Sequence, residues 1–174
     1  MGAIYGSSYY TIVGGPTYAN RKTWNEASDA AKLLGGDLVA IETNKENTWL
    51  SKQFSDYISP TSGGPDFWIG YSDADSEGNW KWTNGSKSTF TNWGGPGPNN
   101  RVGTYPTYDP VYTSGQWWLG NQAHTGTAGE DYAIFNASSG HWNDGAYNLR
   151  DASSGIAEIP LSYFSISDAT FREG

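Results

Sequence analysis

The sequence predicts an α+β domain in which two helices are followed by short antiparallel strands and long loops. Three observations carry this. Apolar residues recur at helical spacing between Trp24 and Tyr57, and each of the two stretches opens on a threonine followed three residues later by a glutamate. Beyond Pro65 the pattern changes to short aromatic runs separated by glycine and asparagine turns. The chain holds 23 glycines, 9 tryptophans and 12 tyrosines, which suits a loop-rich, aromatic-rich fold.

Taken in order, Tyr9 to Val13 reads as a first strand closed by the turn Gly14-Gly15-Pro16. Thr23-Trp24-Asn25-Glu26 is a capping box, and Trp24, Ala27, Ala31 and Leu34 give the helix behind it one apolar face that Gly35-Gly36 ends. Leu38 to Ile41 is short and strand-like. Thr43-Asn44-Lys45-Glu46 is a second capping box, Trp49, Leu50, Phe54 and Tyr57 line the second helix, and Ser59-Pro60 stops it. Phe67 to Tyr71 is a buried strand, and Trp80, Trp82 and Phe90 sit among turn residues. Residues 94–131 read as a long irregular stretch, and its aromatic content marks it as an ordered functional loop. Tyr132 to Phe135 and Ile156 to Leu161 are the last two strands.

A chain of 174 residues fits one domain and buries a sizeable core without covalent staples. It has no cysteine, which excludes disulfides and thiolate metal sites. The formal charge of −8 and the lack of a dense basic patch argue against nucleic acid as a partner. No apolar run reaches the ~18 residues of a membrane span, so membrane insertion is not expected. Met1-Gly2-Ala3-Ile4 lacks the features of a signal peptide and reads as a cut made for expression.

Five motifs occur in the order found in the C-type lectin-like domain. Phe67-Trp68-Ile69-Gly70-Tyr71 is similar to that family's WIGL strand, and Trp80-Lys81-Trp82-Thr83-Asn84-Gly85 to its W-x-W-x-N-G segment. Asn92-Trp93 precedes the calcium loop, Gly129-Glu130-Asp131 resembles its GED, and Trp142-Asn143-Asp144 its WND. The resemblance covers roughly residues 8–161 and implies a C-type lectin-like fold, of the cysteine-free type found in large bacterial surface adhesins. Where the family has disulfides, this chain has Ala31 with Ala157 and Tyr132 with Tyr147, so each pair is replaced jointly.

The resemblance also implies calcium as a cofactor. Its sugar-binding ion takes ligands at positions that are here Gly97, Asn99, Glu130, Asn143 and Asp144, and Gly97 brings no side chain. Asp109, a backbone carbonyl or water is expected to complete the shell. Pro98 is expected to be cis and to aim its neighbours at the metal. Asp73 and Glu77, with Asn100, Glu130 and Asp131, match a second calcium site. Asp73 to Gly78 also opens like an EF-hand loop, but the twelfth position is Asn84 rather than glutamate, and an acidic turn is the plain alternative. Asn99 after the proline resembles the type that prefers mannose, fucose or N-acetylglucosamine. Tyr105, Tyr108, Tyr112, Trp117 and Trp118 of the 101–128 insertion are candidates to shape the sugar pocket, Trp117 and Tyr108 foremost.

These readings predict a calcium-dependent lectin that binds glycans on other cells, extracellular or at the cell surface, as a monomeric module of a larger protein. The alternative on the same fold is a calcium-stabilised module that binds proteins or surfaces without sugar. An enzyme is not expected: the only histidines are His124 and His141, neither lies in a Ser/His/Asp pattern, and the carboxylate spacing suits ion ligation. The domain is expected to end at Leu161, with 162–174 the start of a following β-sandwich-like module or a linker.

Overall fold

The computed structural model describes residues 2–15, 20–57, 64–95, 97–100, 107–113, 116–122, 129–146, 152 and 154–164. The chain runs β1 (Gly2–Tyr5), β2 (Ser8–Gly14), α1 (Trp24–Leu33), β3 (Asp37–Leu38), α2 (Asn44–Phe54), β4 (Asp66–Ser72), β5 (Lys81–Trp82), β6 (Thr107–Thr113), β7 (Gln116–Gln122), β8 (Tyr132–Asn136), β9 (Trp142–Gly145) and β10 (Ser154–Pro160). The main sheet has the order β1-β2-β10-β4-β8-β9, with β3 on β10 and β5 on β4.

Both helices begin where the threonines predict. At α1 the reciprocal box is complete: Thr23 Oγ1 accepts the Glu26 N–H at 3.3 Å, and the Glu26 carboxylate accepts the Thr23 N–H at 2.8 Å. Leu34 is the C-cap and 42% exposed, so it leaves the apolar face expected of it. At α2 only half the box forms. Thr43 Oγ1 accepts the Glu46 N–H, but the Glu46 carboxylate turns to the Glu42 N–H at 2.9 Å. Glu46 is buried there, and its other oxygen takes the Tyr10 hydroxyl.

The sheet is covered on both faces, which is why β4 reads as an unbroken apolar run. Strand alternation sends Phe67, Ile69 and Tyr71 into a core with Leu50 and Phe54 of α2, and Trp68 into a second core with Trp24, Ala27 and Ala31 of α1. On β8, Phe135 and Ile134 divide in the same way, as do Ile156 and Ala157 on β10. The indoles are tied as well as buried: Trp24 donates to the Ile69 carbonyl at 2.9 Å and Trp68 to the Lys22 carbonyl at 3.0 Å. Ala31 and Ala157 share the second core and are fully buried. Each large apolar side chain buried contributes roughly 1.5–3 kcal/mol, the scale of one disulfide. The Tyr132 ring lies tilted against Trp24 with centroids 4.7 Å apart, whereas Tyr147 lies outside the described residues.

Gly2 to Tyr5, to which the sequence reading gave no strand, pairs with Ser8 to Thr11 as an edge strand. The supposedly irregular stretch 94–131 contains a hairpin, β6 with β7, that forms its own two-stranded sheet with Tyr112 opposite Trp117 and Tyr108 opposite Asn121. Pro110 is tolerated inside it because neither strand of a two-stranded ribbon is central. After β10, residues Leu161 to Phe164 form a helical turn. The Leu161 N–H donates to the Ser7 carbonyl, Tyr163 lies against Gly35, and Phe164 meets the edge of Tyr9.

Candidate functional site

Strand β9 builds the site by alternation. Trp142 points inward, where its indole donates to Asn47 Oδ1 at 2.8 Å; Asn143 points to solvent; Asp144 is fully buried. The Trp142 N–H donates to the Asn92 carbonyl, and the Gly94 N–H to the Trp142 carbonyl, so segment 92–94 lies along β9 and delivers the next loop onto Asn143 and Asp144. In that loop the Gly97–Pro98 peptide is cis, as the resemblance implied.

One oxygen of Asp144 fixes the loop. Its Oδ2 accepts the backbone N–H groups of Asn99 at 2.7 Å and Asn100 at 2.6 Å. Asn100 takes φ +38°, a left-handed conformation that asparagine tolerates better than most residues. Its Oδ1 accepts the Glu130 N–H at 2.9 Å. Gly129 is the residue that fits beside it, since a Cβ there would run into the Asn100 amide oxygen and into Asp131 Oδ1. The Asp131 carbonyl accepts the Asp73 N–H at 3.2 Å, and Asp73 Oδ2 accepts the Gly78 N–H at 2.8 Å across the 73–78 turn.

The sequence-predicted residues therefore form one connected strip: Asn143 and Asp144, then Asn99 and Asn100, then Glu130 and Asp131, then Asp73. Asn99 and Asn143 are exposed, and Glu130 is half-buried. Glu77 is exposed on the turn that closes on Asp73. The side chains of Tyr105, Tyr108, Asp109, Tyr112, Trp117 and Trp118 lie outside the described residues, as does His124.

Two buried carboxylate oxygens stand out. Asp144 Oδ1 and Asp73 Oδ1 have no hydrogen-bond partner among the described residues. Burying an anionic oxygen without a partner is costly, and a cation removes that cost. Asp131 shows the same crowding: burial, and then the charge of Asp73, push its carboxyl above the usual range. Oxygen-only donors, carboxylate and amide, suit a hard cation, so these residues fit calcium. Among the described residues no three acidic or histidine side chains gather into one group. A cation at Asp144 would therefore need amide, backbone or water oxygens besides carboxylates.

Sequence reasoning did not foresee the supports of this site. Asn47, buried on α2, accepts from Trp142 and donates to the Gly140 carbonyl at 2.9 Å. Asn92 donates to the same carbonyl at 2.7 Å. Trp93 touches Trp80, Tyr71 and Trp142 and forms an aromatic wall beside Gly97. The Asn92-Trp93 motif was the available signal. The Tyr10–Glu46–Glu158 cluster left none, since its members are far apart in the chain.

The fold and this strip define a C-type lectin domain. The Lectin C-type domain family matches residues 20–148, and the chain belongs to that family. Among curated relatives it is 32% identical over 80 residues to the Perlucin-like protein of Mytilus galloprovincialis, covering 45% of this chain and 49% of that protein. It is 34% identical over 101 residues to the alpha-N-acetylgalactosamine-specific lectin of Patiria pectinifera, covering 58% of each. The chain thus spans about half the length of these relatives. Among solved structures it resembles the human scavenger receptor C-type lectin carbohydrate-recognition domain, with TM-score 0.63, 22% identity and coverage of 91% of this chain and 95% of that one. It also resembles a calcium-independent type II antifreeze protein, with TM-score 0.60, 18% identity and 91% coverage of each. At these identities the structural likeness establishes the fold. Among the described residues no helix is long and apolar enough to cross a membrane.

Proposed function

We propose that this domain binds carbohydrate through calcium at Asn99, Glu130, Asn143 and Asp144, as a non-enzymatic module of a larger surface or secreted protein engaged in adhesion. The observation that carries this is the buried, unpartnered Asp144 Oδ1 beside the exposed amides of Asn99 and Asn143. Asp144 does two things: Oδ2 holds the loop by its backbone, and Oδ1 remains for a cation. Bound calcium supplies open positions on which two vicinal hydroxyls of a sugar can replace water. Asn99 and Asn143 face solvent, where their amide groups can hydrogen-bond those hydroxyls, and the Glu130 carboxylate adds a charge-assisted acceptor. Asn99 after Pro98 favours fucose- or mannose-type glycans. The names of several relatives as lectins support the reading. A second ion at Asp73, Glu77, Asn100, Glu130 and Asp131 is proposed on the unpartnered Asp73 Oδ1.

Two observations favour a second reading, a protein- or surface-binding module without sugar: Gly97 contributes no side-chain ligand, and a calcium-independent antifreeze protein shares the fold. A glycan array with calcium and with chelator separates the two. Chelator-sensitive binding of fucose or mannose glycans that Asn143→Ala removes is the expected result. Binding that ignores chelator overturns the calcium mechanism, and no glycan binding leaves the second reading.

A further inference from the structure

On the side of the main sheet that α1 covers, the helix lies over one part only. Ala27 of α1 packs where Gly155 of β10 meets Val13, at the far end of β2. Over β1 and the start of β2 the same face carries the turn at Leu161 to Phe164 instead. The large apolar side chains exposed among the described residues are Ile4, Leu33, Leu34, Tyr163 and Phe164, 42–85% exposed, and they gather here. Leu33 and Leu34 end α1 and lead into Gly35, on which the Tyr163 ring rests: a Cβ there would lie 2.4 Å from the ring. The Tyr163 and Phe164 rings meet edge to face at 6.1 Å, and Phe164 meets Tyr9 at 6.0 Å. The Tyr9 hydroxyl lies over Gly2, and Ile4 stands directly opposite Tyr9 on the neighbouring strand, so both side chains share this face. The five residues thus form one continuous strip.

We propose that a second copy of this chain covers the strip, making a two-fold dimer in place of the monomer expected from the sequence. Area supports it. At roughly 200–250 Å² for a fully exposed residue of this size, the exposed fractions leave about 600 Å² bare, the upper end of what a monomer carries. With Tyr9 and the rim, the strip approaches the ~800 Å² per partner of a stable dimer.

Charge and order favour a copy of the same chain. The formal charge is −8, so two copies repel in most orientations. The strip escapes this: β1 has no charged residue, and of the residues adjacent in sequence to the five only Lys32 is charged, a cation. Along the strip, aliphatic residues at one end (Leu33 and Leu34) are followed by the rings of Tyr163, Phe164 and Tyr9, then by aliphatic Ile4. A two-fold axis through the rings sets the aromatic centre of one copy on that of the other and the leucine end on the isoleucine end. Aromatic anchors at the centre of a patch are where binding energy concentrates. β1 and β9 are opposite edges of the sheet, five strand spacings or roughly 24 Å apart. A dimer built on the β1 side therefore leaves Asn143 and Asp144 of each copy away from the interface, and the pair presents two candidate sites. The dimer does not depend on the calcium-lectin reading.

Sedimentation equilibrium of the whole chain tests this. A dimer with a micromolar Kd is expected, unchanged by chelator and tightened by salt, which screens the repulsion between the copies. Leu33→Lys should weaken it by at least about thirtyfold, the scale of a lost anchor. That side chain ends α1 and is 85% exposed, and a lysine suits a helix C-terminus, so the melting temperature of the monomer should hold. Tyr163→Ser, in the middle of the strip, is the independent variant and should weaken the dimer on the same scale. A chain that stays monomeric at hundreds of micromolar overturns the proposal, whether residues 165–174 or another partner covers the strip. A dimer of wild-type strength in both variants overturns it by placing the interface elsewhere. A dimer that chelator dissolves overturns it as well, because the contact then runs through bound cations.

Discussion

Tyr10 and Glu46 meet across 36 residues of chain: the tyrosine hydroxyl donates to Glu46 Oε1 at 2.8 Å, while Glu158 Oε1 stands 3.1 Å away on the same hydroxyl. One phenolic proton faces two carboxylates, with the Glu42 carboxylate also close enough to act on Glu46. Burial, then the charges of Glu158 and Glu46, push the Tyr10 hydroxyl far up, so it stays protonated and keeps donating. Burial is also the main cause that raises the Glu46 carboxyl.

This sets a pH dependence. A folded-state value raised above the unfolded one means that the native state binds the proton more tightly. The stabilisation is complete below the unfolded value of 4.5 and is lost as pH rises through the higher folded value. Glu46→Gln mimics the protonated form, with its amide donating to Tyr10. Thermal unfolding from pH 4 to 8 in chelator should show the difference between wild type and Glu46→Gln growing toward neutral pH in favour of the variant. A constant difference would show that Glu46 keeps its ordinary value.

Calcium should stabilise the fold. An ion that binds only the native state adds about 2.7 kcal/mol at a hundredfold excess over its Kd. The melting temperature should therefore fall when chelator is added to calcium-loaded protein. Asp144→Asn, which removes charge but keeps an acceptor for Asn99 and Asn100, should lose most of that response. An equal response in the variant would place the stabilising ion away from Asp144.

Asn143→Ala should separate binding from folding. The side chain is exposed, and among the described residues its amide donates locally, to the Asp144 carbonyl at 2.8 Å. Loss of glycan and weaker calcium binding are expected, with urea unfolding in chelator shifted by less than about 0.5 kcal/mol. A larger shift would assign Asn143 to the framework.

Asn47→Ala should do the reverse. It leaves the Trp142 indole N–H without its partner, while the Gly140 carbonyl keeps its bond from Asn92, at a cost of roughly 1–3 kcal/mol. Urea denaturation checks this, and calcium affinity of the folded fraction should change little.

Ala31→Cys with Ala157→Cys should close a disulfide under oxidation. A Cβ on Gly155 would touch the Ala27 methyl, and Gly36 lies against Glu158 and Ile159, so α1 and β10 run side by side in one direction. Ala31, one helical turn beyond Ala27, then falls over Ala157, two residues beyond Gly155. Stabilisation of about 2–4 kcal/mol in denaturant is expected. Failure of the thiols to pair would mean that the two positions do not face each other.

How much of this was legible depended on whether a signal is local. The two helices showed in their capping threonines and apolar spacing, and β4 in its apolar run. The site strip was legible through short motifs, because Asn143 and Asp144 on one strand and Asn99 and Asn100 in one loop are neighbours in sequence. The β6–β7 hairpin was missed because its polar and aromatic residues do not alternate cleanly and Pro110 interrupts the pattern. The departure of Glu46 from its capping box was invisible for another reason: besides the Glu42 N–H, its carboxylate takes the hydroxyl of Tyr10, which comes from a distant strand. The same holds for Asn47 beneath Trp142.

The place of β10 in the sheet bears on how the chain acquires its structure. Of the strands described it comes last, yet it lies between β2 and β4 and also pairs with β3. Its partners therefore wait for it. At ~5–20 residues per second of synthesis, roughly 7–30 seconds separate the emergence of β2 from that of β10. During that interval β2 and β4 present open backbone edges and the apolar side chains of Val13, Phe67 and Trp68. Pairing over such sequence distances is slow even in the finished chain. Truncation before Ser154 should therefore yield aggregated rather than partly folded protein, read by sedimentation of the expressed chain.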